Sequence, residues 1–180
     1  MKKFLQFSGL IALAAGLVGL ILIMFTHSVV GASAPAENWY SGVSAIFGGG
    51  NYKWTLNLGG LGSLSDVAAF TGRNSSSALF AWIFALVALL GLVAGAVLPL
   101  LKVKGFDKFA GLVNLCSVLL LATAGILVFF TVVNFAGQNG WNDTEGVALG
   151  GGWVIGAILF LAAAGVAICP TVVDFLGKKK

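Results

Sequence analysis

The sequence predicts an all-α membrane protein: a bundle of four transmembrane helices with a small extracellular β-hairpin or sheet in its first outer loop. Three observations lead there. Four apolar runs, 7–30, 78–101, 109–135 and 153–175, each exceed the ~20 residues that a helix needs to cross ~30 Å of hydrocarbon. Only 9% of the 180 residues are charged and mean hydropathy is +1.03, whereas about a quarter of a soluble domain is charged. The charges are also sorted by side. Lys2, Lys3, Lys102, Lys104, Lys108, Lys178, Lys179 and Lys180 flank one set of run ends. The other connections hold only Lys53 and Arg73, set against Glu37, Asp66, Asp143 and Glu145. Lys and Arg concentrate on the cytoplasmic side. Both termini and the 102–108 turn are therefore expected inside, and 31–77 and 136–152 outside, in one multi-pass domain with a basic tail at 176–180.

The first run begins like a secretory signal, with Lys2-Lys3, an apolar stretch and Ala32-Ser33-Ala34. The apolar stretch from Phe7 to Phe25 is longer than the ~7–15 residues of a signal core, so an uncleaved span is expected. Small residues recur along the runs. Gly16 and Gly19, Gly91 and Gly95, and Gly152 and Gly156 have the spacing that lets helix backbones approach closely. Pro99 and Pro170 sit near the ends of the second and fourth runs, where each removes a backbone donor and bends the last turns.

The first outer loop is too long to be only a connector. In Asn51–Leu58, the residues Tyr52, Trp54, Leu56 and Leu58 alternate with polar ones, the two-residue period of a strand. Trp39–Phe47 shows a similar period, and Gly48-Gly49-Gly50 between them suits a hairpin turn. A short helix through Asp66–Phe70 is expected next, and Ser75–Ser77 supply the N-cap of the second span.

On the third run Ala110, Asn114, Ser117, Leu121, Ala124, Val128, Thr131 and Phe135 share one helical face, polar at its ends and apolar in its middle. That argues against a water path through one bundle. Asn114 is read as a helix-to-helix hydrogen bonder. Trp82 and Trp153, with Phe4, Phe106 and Phe175, are read as boundary anchors. In the second outer loop Trp141 stands at the tip of Gln138–Glu145 and is expected to fold back onto the first loop.

Catalytic patterns are absent from the sequence. There is no Ser/His/Asp set, no two-histidine metal helix and no phosphate-cradling loop before a helix. The acidic second loop lacks calcium-loop spacing. His27, the single histidine, has too few neighbours for a metal site. Cys116 and Cys169 fall within spans and cannot staple an outer loop. Asn74-Ser75-Ser76 and Asn142-Asp143-Thr144 match the short glycosylation pattern, which arises readily by chance. No enzyme activity, cofactor, metal or nucleic-acid partner is expected.

Topology and a few outer-loop residues carry a resemblance. Both ends lie inside, the first outer loop is long and β-rich, and the second is smaller. Trp39 and Tyr52-Lys53-Trp54 stand where one tetraspan group has a Trp and a Gly-Leu-Trp, and Arg73 stands where it has a basic residue before the second span; the group's outer-loop cysteine pair is missing. The chain thus resembles the claudin-like four-span proteins. The resemblance implies a small sheet above a left-handed four-helix bundle, with loops that mediate assembly within and between membranes.

The expected function is that of an integral membrane structural or interaction protein, self-associating as a homo-oligomer or binding another membrane protein. Trp39, Tyr40, Tyr52, Trp54 and Trp141 are the expected contact set. The alternatives are a cation-preferring pore formed between subunits, with Glu37, Asp66, Asp143 and Glu145 at its mouth, and an accessory subunit of a larger membrane complex. The Met-Lys-Lys start and cysteine-free outer loops fit a bacterial plasma membrane.

Overall fold

The computed structural model describes residues 2–33, 36–97, 106–141 and 146–177. In chain order the elements are α1 (Lys2–Phe25), β1 (His27–Ser33), β2 (Ala36–Ser41), α2 (Gly42–Phe47), β3 (Asn51–Asn57), a 3-10 turn (Gly59–Leu61), β4 (Ser63–Ala69), α3 (Ser76–Val97), α4 (Phe106–Phe129), α5 (Thr131–Gln138), β5 (Val147–Leu149) and α6 (Gly151–Gly177). Helices α1, α3, α4 and α6 are long and apolar enough to cross a membrane.

These four helices form a closed ring in which α1 packs on α6 and α3, and α4 packs on α3 and α6. Their shared interior is built from small side chains: Ala12, Ala81, Ala85, Ala88, Ala124 and Ala157 are fully buried. Large ones such as Leu10, Ile21, Leu90, Leu119 and Ile158 face outward. This inversion of a soluble core fits lipid as the solvent, where burying leucine gains little and close backbone packing supplies the attraction. The stripe from Ala110 to Phe135 on the third run is the interior face, and its residues from Ser117 to Phe135 are buried. The ring therefore has no open axis along α4.

The seam between α1 and α6 is tight at two facing glycines. A Cβ on Gly19 would lie 3.1 Å from the Gly156 carbonyl oxygen, and one on Gly156 would lie 3.1 Å from that of Gly19. Gly16 receives Leu89 of α3, Gly91 receives Ser117 of α4, and Gly152 receives Thr26. Gly95 departs from the expectation, since a Cβ there would meet nothing within 4 Å. Gly125, which the spacing did not single out, packs on Leu161 and the Ala157 carbonyl. Asn114 bonds between helices as expected, its Nδ2 donating to the Ala167 carbonyl oxygen at 3.1 Å. That carbonyl lies one residue beyond Val166, whose backbone acceptor Pro170 leaves without its usual donor. Pro170 lies inside α6, while Pro99 lies outside the described residues.

Outside the ring, the chain forms a five-stranded antiparallel sheet in the order β4-β3-β2-β1-β5. Four strands come from the first connection and the fifth from the second. Several sequence expectations are corrected here. The first run does not stay helical to residue 30: α1 stops at Phe25 and β1 starts at His27. Trp39–Phe47 is not one strand but β2 followed by a helical turn and a half, capped by Ser41, whose Oγ accepts from the Ser44 N–H at 3.1 Å. The strand pairing β3 on its other side is β4, where a helix through Asp66–Phe70 was expected. The third run breaks at Phe130, between α4 and α5. Trp153, near the start of α6, is fully buried, while Trp82 is half-buried with its ring edge on Phe47. Cys116 lies exposed on the outward face of α4. The side chains of Phe4, Phe106 and Phe175 lie outside the described residues.

The Gly19–Gly156 contact yields a direct test. Gly19→Leu should lower unfolding stability in detergent by about 1–3 kcal/mol or more, the cost of forcing atoms into a packed seam. Gly95→Leu should stay within about 0.5 kcal/mol of the parent. Thermal unfolding followed by circular dichroism separates the two.

Candidate functional site

The candidate site is the sheet and its seat on the helix ends. The seat is set by backbone geometry. Only Thr26 separates α1 from β1, and only Gly150 separates β5 from α6. Thr26 closes α1 with its Oγ1 donating to the Leu22 carbonyl at 2.6 Å, while its own carbonyl accepts from the Gly42 N–H at 2.8 Å. Gly150 donates to the Ser28 carbonyl at 2.8 Å, and a Cβ there would collide with the His27 carbonyl. Gly42 is similarly pressed against the Ile23 carbonyl. Ser28, fully buried, donates from its hydroxyl toward the carbonyls of Tyr40 at 3.1 Å and Ser41 at 2.9 Å.

Register decides which side chains meet. Tyr40 pairs with Tyr52, and Tyr52 with Ala68; one step outward, Asn38 pairs with Trp54, and Trp54 with Asp66. Side chains alternate faces along a strand, so Tyr40, Tyr52, Trp54 and Leu56 share one face and Trp39, Lys53 and Val67 the other. The inner part of the first face is closed by a ring cluster. Tyr40 contacts Tyr52, Phe70, Phe135 and Trp141 with centroids 5.1–5.6 Å apart. Phe135 also contacts Phe70 and Trp141. Ring pairs in these offset and edge-on arrangements add ~0.5–1.5 kcal/mol each beyond their buried area. Trp141 folds back onto the first loop, as expected. Burial, with a smaller contribution from the neighbouring Tyr52, holds the Tyr40 phenol above its ordinary pKa.

A second tie joins the two connections that supply the sheet. Asn139, at the end of α5, accepts from the Arg73 N–H at 2.8 Å and donates to the Arg73 carbonyl at 3.0 Å and the Phe135 carbonyl at 2.8 Å. Its amide serves Arg73 as a neighbouring strand would. Gly72 leaves the room, since a Cβ there would strike the Asn139 Oδ1. The sequence reading passed over Asn139; its place directly before Gly140, at the end of a helical stretch, was the available signal.

The expected contact set is thus divided. Tyr40 is only 8% exposed, and Tyr52 and Trp141 are half-buried against it. Trp54 and Trp39 are half-exposed on opposite faces, Trp39 with its ring 5.3 Å from the exposed His27. Of the expected pore-mouth acids, Asp66 is exposed beside Trp54, with its Oδ1 accepting from the Val67 N–H at 2.7 Å. Asp143, Glu145 and the side chain of Glu37 lie outside the described residues, as does Asn142. Asn74 donates to the Ile46 carbonyl at 3.3 Å, and Ser75 beside it is buried as the N-cap of α3.

The sheet's far end is different in character. The turn from β3 to β4, Leu58-Gly59-Gly60-Leu61-Gly62-Ser63-Leu64, carries no charge. Leu61 is 89% exposed, Leu58 and Leu64 are exposed in the same turn, and Val67 is exposed further along β4 on its other face. β4 is also an edge strand, bonded to β3 on one side only. Among the described residues no group of three or more His, Cys, Asp or Glu could hold a metal ion. No protein-family model matches the chain, and no curated protein is significantly similar to it.

Two measurements test the seat. Stability should be full below pH ~10 and fall as pH rises past it, because the unfolded phenol ionises there while the buried one resists. Tyr40→Phe should flatten that fall in unfolding midpoints taken across the alkaline range. Asn139→Leu, which removes the bonds to the solvent-accessible Arg73 backbone and to the Phe135 carbonyl, should cost about 0.5–1.5 kcal/mol, read as a lower midpoint in chemical unfolding.

Proposed function

We propose that this chain is a structural or interaction protein of the cell membrane, not an enzyme, which self-associates through contacts made by its outer sheet. In this reading both termini are cytoplasmic, and the sheet stands outside. The observation that carries it is the uncharged leucine tip of the β3–β4 turn next to an unpaired strand edge. Apolar side chains that are left uncovered beyond the membrane-spanning helices mark a contact surface, and a free edge offers backbone groups to another strand. The contact surface accordingly moves outward from the tyrosines and Trp141, which serve the seat, to Leu58, Leu61, Leu64 and Trp54.

The likeness to claudin-type tetraspans belongs to the same reading. It is supported by a small antiparallel sheet drawn mainly from the first outer loop and held on four helices. The absent outer cysteines are offset in this chain by the Tyr40 ring cluster and the Asn139 tie, which fix the loops without a covalent bond. A pore, if copies form one, runs between subunits, because the interior of the ring is packed with alanine.

The test is substitution at the tip. Leu58→Ser with Leu61→Asp should leave insertion and thermal stability within about 0.5 kcal/mol while abolishing higher-order species in crosslinking and in native-size measurements. Unchanged assembly in the variant defeats the proposal. A parent protein that is monomeric in lipid nanodiscs at every concentration defeats self-association altogether.

A further inference from the structure

We infer that Asp66 guards the outer margin of the sheet: its carboxylate occupies a backbone amide that an added strand would need, so that β4 offers a partner the leucine tip beside it and not its full length. The inference rests on the reading of the outer sheet as a contact surface, and narrows it.

The β3–β4 ladder shows which backbone groups of β4 are already spent. It runs without a shift of register from Asn51↔Ala69 to Asn57↔Ser63. Just beyond its two ends, the Phe70 N–H donates to the Gly50 carbonyl at 2.7 Å and the Leu58 N–H to the Gly62 carbonyl at 2.9 Å. Hydrogen-bonded and non-hydrogen-bonded pairs alternate along an antiparallel ladder. Counting inward from either end, Leu64, Asp66 and Ala68 are the residues that bond to β3. Ser63, Ser65, Val67 and Ala69 turn their backbone groups outward, to the side where β4 has no neighbour.

One member of this outward set is taken. The Val67 N–H donates to the Asp66 Oδ1 at 2.7 Å, the short distance of a bond to a charged acceptor. The carboxylate oxygen therefore stands where the carbonyl of an incoming strand would have to accept. Such a strand must exchange a charged acceptor for a neutral one, and its own carbonyl then lies beside a negative charge. Asp66 is exposed, and Lys53 on the neighbouring strand pairs with Val67, so that its side chain leaves the sheet on the opposite face.

Position adds to charge. Val67 lies between Ser65 and Ala69 in the outward set, so a strand laid along β4 is interrupted in its middle. The other margin, β5, has only three residues. Very short edge strands and charged ones are two ways in which sheets avoid adding strands. With seven residues, β4 is the margin long enough to need the second. Leu58 and Leu61 precede β4 in the turn and remain available for side-chain contact.

The test uses the full chain in mild detergent. Hydrogen exchange at the outward amides of Ser65 and Ala69 is followed at rising protein concentration, beside native size. In the parent, exchange at Ala69 should not depend on concentration. In Asp66→Ala it should slow at least tenfold as concentration rises, with larger species, because copies now pair along β4. Asp66→Ala with Val67→Pro should behave like the parent, since proline at an edge removes an outward N–H and no ladder bond. Ser65→Pro in place of Val67→Pro repeats that control, read at Ala69, if the first variant does not purify. Adding Asp66→Ala to the Leu58→Ser, Leu61→Asp variant should still slow exchange. Tip variants that assemble like their parent defeat self-association through the tip and leave this readout standing. Slowing that is absent in Asp66→Ala, already present in the parent, undiminished by the proline, or lost when the tip is changed overturns the guard.

Discussion

The architecture depends on bringing two helices close enough that strands growing from their ends can pair. Neighbouring strands lie ~4.8 Å apart, whereas packed helix axes lie 8–10 Å apart. Here β1 leaves α1 after one residue and β5 enters α6 after one residue, and the two strands are hydrogen-bonded. The mismatch has to be absorbed within about two helical turns. Gly150, Gly152, Gly156 and Gly19 absorb it: a side chain at Gly150 or Gly152 would meet His27 or Thr26 just past the end of α1, and one at Gly156 or Gly19 would meet atoms of the other helix. Once that pair is set, β2, β3 and β4 add outward from β1, and the Tyr40 cluster fixes the sheet's angle over α5.

Two kinds of cohesion therefore meet at the boundary between bundle and sheet. Within the ring, small residues let backbones touch, with hydrogen bonds such as that from Asn114 to Ala167 as local supplements. At the seat, aromatic area and backbone-directed bonds from Ser28, Ser41 and Asn139 take over. Such side-chain bonds are needed there because helices end and strands begin with no loop in between. Each transition leaves carbonyls and amides that neither ladder satisfies.

The four long helices were legible in the sequence because length and hydropathy suffice for them. The switch from α1 to β1 was not, since His27–Ser33 prolongs the apolar run and hydropathy does not distinguish a buried strand from a helix; the adjacent Val29 and Val30 were the only local hint. In Gly42–Phe47 an alternating pattern over six residues fitted strand and helix equally, and the Ser41 cap decided for helix. β4 was obscured by its Ser, Asp and Ala content; it is a strand because β3 offers it a full ladder, a non-local cause. At the candidate site, aromatic spacing exposed the importance of Tyr40, Tyr52 and Trp141. It could not separate rings that seal an interior from rings that face a partner, because that depends on register and on Phe135 arriving from a distant helix.

The membership of β5 in the sheet has a consequence for how the molecule is made. Its partner on β1 lies on the order of a hundred residues earlier in the chain, so a ribosome has released β1 to β4 long before the closing strand exists. During that interval β1, an inner strand of the finished sheet, is a bare edge in place of β5. Contacts this remote in sequence form slowly, so closing the sheet on this side waits for the last part of the chain to be made.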